Sequence, residues 1–169
     1  YAFFGGNEYS TGISAYSYAG DASVTNSGYV GAATYGYTYN GTLNSTGVDA
    51  ESYYGNASID NSGTIAAYAG GYAAAGIYAT GSYAYSYDGN ATVTNSGSID
   101  ANAYGYSSFV RAIGAEAISY NGDANVTNSG TITAEAGYYG YYGIVAAGAV
   151  AISVNGDASV DNSGSISAY

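Results

Sequence analysis

One nine-residue block occurs five times along the chain: GDASVTNSG, GNASIDNSG, GNATVTNSG, GDANVTNSG and GDASVDNSG. Its opening glycine falls at Gly20, Gly55, Gly89, Gly122 and Gly156, in steps of 35, 34, 33 and 34 residues. Recurrence at such a period marks stacked supersecondary units that bury their apolar faces only against one another. From Ala91 the chain reads Ala91, Val93, Asn95, Gly97, Ile99 and Ala101 at every second position, which is strand periodicity with one face reserved for small or branched groups. A second kind of rung carries Ala15, Ala50, Ala84, Ala117 and Ala151, each followed two residues on by Ser17, Ser52, Ser86, Ser119 or Ser153. Helical spacing fits neither rung.

Each long unit also divides in two. An apolar residue followed four positions later by glycine recurs as Val24/Gly28, Leu43/Gly47, Ile59/Gly63, Ile77/Gly81, Val93/Gly97, Val110/Gly114, Val126/Gly130, Ile144/Gly148 and Val160/Gly164, in steps of 16 to 19 residues. The expectation is an all-β chain: a parallel β-solenoid, or β-helix, of about ten coils of 16–19 residues. Two coil types alternate within a ~34-residue repeat, and residues 1–169 form one repeat domain of five such repeats. Ten coils at about 4.8 Å each would stand roughly 48 Å tall. Asn26, Asn61, Asn95, Asn128 and Asn162 then take the inward parity two coils apart, where an unpaired amide is costly and a stacked amide ladder satisfies it. The alternative is an exposed turn in which Asn serves only for left-handed geometry. The Gly-Asp and Gly-Asn corners, with the pairs Asp88-Gly89, Asn121-Gly122 and Asn155-Gly156, are expected to supply positive φ.

Charge narrows the function classes. Twelve acidic residues stand against one base, Arg111, for a net charge of −11. Nucleic acid and anionic lipid both need clustered Lys or Arg, so neither is an expected partner. The greasiest stretch, GIVAAGAVAISV, is too short for a membrane span, and with no cysteine there is no disulfide framework. Without His, Cys or Lys the usual nucleophile and base sets are missing. Acid pairs such as Asp49 with Asp60, or Asp157 with Asp161, could in principle act on a glycosidic bond. Most acids, however, recur at equivalent repeat sites, which reads as a solvated face, so no catalytic residue and no cofactor is assigned. No metal centre is assigned either. Asp21, Asp123 and Asp157 at the corner after glycine are the calcium candidates, but Asn56 and Asn90 hold the same place in other units and lack the charge. The Asn-x-Ser/Thr matches at Asn40, Asn44, Asn56, Asn90 and Asn125 read as accidental.

Tyrosine is the least ordinary component, at 24 residues. Tyr35, Tyr37, Tyr39, Tyr68, Tyr72, Tyr104, Tyr106, Tyr138, Tyr139, Tyr141 and Tyr142 cluster in the stretch between the two rung types. That stretch varies in length, so it is expected to form a loop or outer strand whose copies lay an aromatic stripe along one side. The stripe would bind glycans, pack against a neighbouring fibre, or stack upon itself.

Units such as GIYATGSYAYSYDGNATVTNSGSIDA resemble the repeats of bacterial autotransporter passenger domains and giant surface adhesins, over essentially the whole chain. The resemblance implies a parallel β-helix on an exported bacterial surface protein. The chain departs from that pattern in its tyrosine content and in showing neither a translocating barrel nor a signal. Its two ends read as uncapped and in phase, since passing from Tyr169 to Tyr1 continues the repeat. Copies are therefore expected to follow one another along the axis, either as separate subunits joined head to tail at a junction of Tyr1, Phe3, Phe4, Glu8 and Tyr169 or as successive stretches of one very long chain. Glu8 takes the place of a core apolar residue, which is read as a first coil distorted at that junction. The expected function is a structural subunit of an extracellular fibre at the cell surface, with its tyrosine face free for adhesion or bundling. A monomeric adhesin or glycan-binding β-helix module is the alternative, and a polysaccharide-cleaving β-helix ranks below it.

Overall fold

The computed structural model describes residues 6–169. Strands β1 (Glu8–Ser17), β2 (Ala22–Asn26) and β3 (Tyr29–Thr38) make the first coil. The second and third follow as β4 (Thr42–Ser52), β5 (Ala57–Asn61) and β6 (Thr64–Ala73), then β7 (Gly76–Ser86) and β8 (Ala91–Asn95). From there β9 (Ser98–Ser119) and β11 (Thr131–Ser153) run unbroken through the bend that interrupts the earlier coils. They are joined by β10 (Ala124–Asn128) and followed by β12 (Ala158–Asn162) and β13 (Ser165–Ala168).

All pairing is parallel, and each strand lies beside its copy one ~34-residue repeat away. One face stacks β1, β4, β7 and the second halves of β9 and β11, with Glu8 beside Leu43 and Leu43 beside Ile77. A short second face stacks β2, β5, β8, β10 and β12. The third stacks β3, β6, the first halves of β9 and β11, and β13. The protein is a parallel β-solenoid of about five turns. The ten short coils expected from the half-repeats are thus corrected to five long ones, and the height falls from about 48 Å to about 24 Å at ordinary strand spacing.

Polar satisfaction explains why the long register wins. In 17-residue coils Asn61 would stack between Ser45 and Ala79, leaving a core amide without an amide partner. In the long register asparagine meets asparagine, one coil apart rather than two. The half-repeat motif misleads because its two glycine sets serve different contacts. On the first face, a Cβ on Gly47, Gly81, Gly114 or Gly148 would overlap Cγ2 of Ile65, Ile99, Ile132 or Ile166, so these glycines admit the branched side chain of the opposite face. On the NSG corner, a Cβ on Gly63, Gly97, Gly130 or Gly164 would collide with the carbonyl of the equivalent glycine one coil back, so these allow close axial approach. The resulting core is flat and thin. Val48, Ala50, Ile59 and Ile65 fill one end of it, and Leu43, Ala69, Ile77 and Val110 the other.

Two local expectations also change. The corners do not use positive φ: among the described residues the left-handed region holds only Gly71 (129°), Gly105 (153°) and Tyr138 (89°), all on the tyrosine face. Glu8 sits in an undistorted rung, with β1 in register with β4 along its length, so the distorted first coil is withdrawn. One carboxylate oxygen of Glu8 is buried without a partner, and a Cβ on Gly36 would fall against this carboxylate.

Candidate functional site

At the corner, three polar columns run along the axis. The inner one is made of the NSG asparagines. Asn26 Nδ2 donates to Asn61 Oδ1 (2.8 Å), Asn61 to Asn95 (2.7 Å), Asn95 to Asn128 (2.8 Å) and Asn128 to Asn162 (2.7 Å). Each of these amides also bonds two backbone carbonyls, as Asn95 does with Gly97 and Thr131. Asn61, Asn95 and Asn128 are almost wholly buried. A second column uses serine: Ser52, Ser86, Ser119 and Ser153 donate Oγ–H to the carbonyls of Gly20, Gly55, Gly89 and Gly122 one coil back, and accept from the glycine N–H three residues ahead.

The calcium candidates lie in the third column. The N–H of Asn56 donates to Asp21 Oδ1 (2.8 Å), that of Asn90 to Asn56 Oδ1 (2.9 Å), that of Asp123 to Asn90 Oδ1 (2.9 Å) and that of Asp157 to Asp123 Oδ1 (3.0 Å). The position requires an acceptor oxygen, which Asp and Asn provide equally, and this accounts for their interchange. Among the described residues no three carboxylates lie close enough to hold a metal ion. The acid pairs fare as follows: Asp49 and Asp60 lie on different faces, whereas Asp157 immediately precedes the short rung β12 and Asp161 lies within it.

The tyrosines form two columns of unlike order. One was missed in sequence although its position is fixed, directly after the serine column: Tyr18, Tyr53, Tyr87 and Tyr120. Their rings stack at 5.4, 4.8 and 4.9 Å with interplanar angles of 17°, 8° and 3°. The other lies on the third face, in strands rather than loops, where Tyr37, Tyr72, Tyr106 and Tyr139 share a register. Only Tyr37 and Tyr72 stack closely (4.6 Å, 15°). Tyr106 leans instead towards Tyr138 (5.8 Å, 57°) and Tyr139 (6.2 Å, 32°). Beside this column, Tyr35 and Tyr104 alternate with Gly70 and Gly137. The rings of Tyr68 and Tyr104 lie over those two glycines. The Tyr104 hydroxyl donates to the Glu135 carboxylate, which pushes its pKa up to about 12. Of the remaining predicted stripe, Tyr39 falls between strands, and Tyr141 and Tyr142 sit at the register shift between Gly140 and Gly143. Of the predicted junction, Tyr1, Phe3 and Phe4 lie outside the described residues. Tyr169 extends the pairing of β13, its N–H donating to the Ala134 carbonyl (3.0 Å).

The first face carries a shallow acidic hollow of about 370 Å³. There Arg111 pairs with Glu116 at 2.8 Å, the carboxylate being almost wholly buried. Asp49 leaves one buried oxygen unpartnered. Burial, and then the charge of Glu51, push its pKa up to about 6. Tyr83 is raised as well, by burial first and then by Glu51, Glu116, Asp49 and Tyr85. No family model, curated protein or solved structure matches the chain.

Proposed function

We propose that this chain is a structural subunit of an extracellular fibre, copies of which stack head to tail so that one solenoid continues through each junction. The carrying observation is that the polar columns are directional and unbroken from coil to coil, so that any coil stacked in the same sense continues them. At every step the asparagine amide donates to Oδ1 of the next coil, while the serine hydroxyl and the corner N–H donate to the coil before. A following copy brings Asn26 Oδ1 to Asn162, sets the Ser17 hydroxyl on the Gly156 carbonyl, and points the Asp21 N–H at Asp157 Oδ1. Each donor meets an acceptor only in the head-to-tail sense. Open strand edges and apolar ends are the usual substrate of such addition.

The role is mechanical, with no catalysis, and the outward tyrosine face serves as the contact surface for bundling or adhesion. Resemblance to bacterial surface repeats supports placement outside the cell. The lone Arg111, tied to Glu116, leaves little for trypsin-like proteases.

Electron cryo-microscopy and sedimentation of the purified chain test the proposal together. The expected result is a continuous thin filament whose subunit rise is about five strand spacings, ~24 Å. Monodisperse particles of that height, unchanged at high protein concentration, would overturn it.

A further inference from the structure

The proposed contact surface contains an opening that the stacked columns elsewhere lack. Tyr72 and Tyr106 are register neighbours, one coil apart. Tyr72 stacks back on Tyr37, Tyr106 leans forward on Tyr138 and Tyr139, and among the described residues no ring contact joins the two. Two adjoining hollows, of about 460 and 350 Å³, share this pair. Both volumes are in the range of small-molecule sites. In the corner column the same axial step is closed by ring-on-ring stacking.

The floor of the larger hollow is backbone. Gly71 and Gly105 hold left-handed φ, and a Cβ on either would strike the carbonyl of the glycine one coil back. The column ends at Tyr138, a tyrosine held at φ 89° where the coils below have glycine. A non-glycine residue is strained in that region, and such strain gathers at ligand clamps. Here it places the exposed Tyr138 ring among the residues that line the hollow.

The lining chemistry selects the occupant. Tyrosine and glycine alone line the larger hollow, and tyrosine, alanine and serine the smaller. Neither contains a charged side chain, on a chain whose net charge of −11 repels anions. Aromatic faces offer apolar, weakly negative surfaces suited to C–H groups, and the phenol hydroxyls around the rim both donate and accept hydrogen bonds. A ligand that presents flat C–H faces and a periphery of neutral hydroxyls satisfies both.

We infer that the opening at Tyr72 and Tyr106 is a binding site for a neutral glycan, one pyranose ring lying against the two phenol rings and its neighbours along the glycine floor. The inference rests on reading the tyrosine face as a contact surface, and is independent of axial assembly.

The test is titration of the chain with neutral hexasaccharides of glucose, mannose and N-acetylglucosamine, followed by isothermal calorimetry and tyrosine fluorescence. Tyr72→Ala, Tyr106→Ala and the corner variant Tyr87→Ala are run alongside, and circular dichroism admits only folded variants. Binding of at least one glycan, weakened about tenfold or more by Tyr72→Ala or Tyr106→Ala and unchanged by Tyr87→Ala, is the expected result. Should the alanine variants fail to fold, Tyr106→Phe keeps the ring and removes the hydroxyl, and its glycan affinity must fall while its spectrum is unchanged. Absence of binding across the panel, equal binding by all variants, or capture only of a quaternary ammonium probe or of a second copy of the chain would overturn the inference. Sedimentation of the same samples separates this failure from that of the fibre: filaments that bind no glycan leave the fibre standing, and glycan-binding monomers do the reverse.

Discussion

The corner and the tyrosine face repeat with the same period and the same register, yet one is closed and the other is not. At the corner, Asn26 to Asn162 and Tyr18 to Tyr120 meet their copies coil after coil and Ser52 to Ser153 each meet a glycine carbonyl one coil back, in hydrogen bonds near 2.8 Å and nearly parallel rings. On the tyrosine face the backbone ladder is as regular, but the side chains diverge: Tyr37 stacks on Tyr72, while Tyr106 breaks away. Strand register sets where side chains start and leaves their stacking to local neighbours. At the corner the residues of these columns, and the glycine that follows each of them, are the same in successive coils. On the face they are not, because Tyr, Gly, Asn and Glu substitute for one another in adjacent columns. Buried amides enforce regularity, whereas half-exposed rings tolerate its loss.

The contrast is most strongly broken by Asn95→Ala, which removes two links of the inner column and leaves the Asn61 amide only its backbone acceptors, Gly63 and Ser98. A loss of about 3 kcal/mol is expected, read as a large fall in thermal midpoint. Tyr87→Ala comes next, at about 1–2 kcal/mol, because it opens a ring stack on both sides. Tyr106→Ala, in the loose column, is expected to cost less than half as much in the same denaturation series. Equal costs would show that the two columns differ in appearance only.

Two aspartates sharpen the comparison. Asp49, on an open face, has a folded pKa of about 6, raised above its ordinary 3.8. Its folded form therefore holds the proton more tightly, and stability falls as pH rises from about 4 to 6 and stays reduced above that. Asp49→Asn is accordingly expected to match the parent at pH 4 and to gain about 1 kcal/mol at pH 7.5, a figure already reduced for solvent screening. Asp123→Asn, in the corner column, keeps the acceptor oxygen that Asp157 N–H requires, and should shift stability by under about 0.5 kcal/mol at either pH. Paired melting curves at the two pH values check both.

Much of this was legible in the sequence, for identifiable reasons. The strand alternation, the parallel stack and the inward parity of the asparagines all follow from side chains whose burial is costly or favourable at fixed spacing. The coil length was not, because Gly47 and Gly63 sit in the same apolar-x-x-x-Gly pattern while making room for different things, an opposing isoleucine and an adjacent backbone. Nor was the Tyr18 column evident, although its place after Ser17, Ser52, Ser86 and Ser119 marks it; the denser tyrosines of the variable stretch drew the reading away. The gap between Tyr72 and Tyr106 depends on ring rotation, to which a one-letter pattern is blind.

The Asp/Asn column has a consequence for how such molecules evolve and crowd together. Because the fold requires only an oxygen there, each coil can carry or drop one negative charge without altering a single backbone bond. Net charge is then adjustable coil by coil while the scaffold stays the same, and with it the strength and salt dependence of the repulsion between neighbouring molecules.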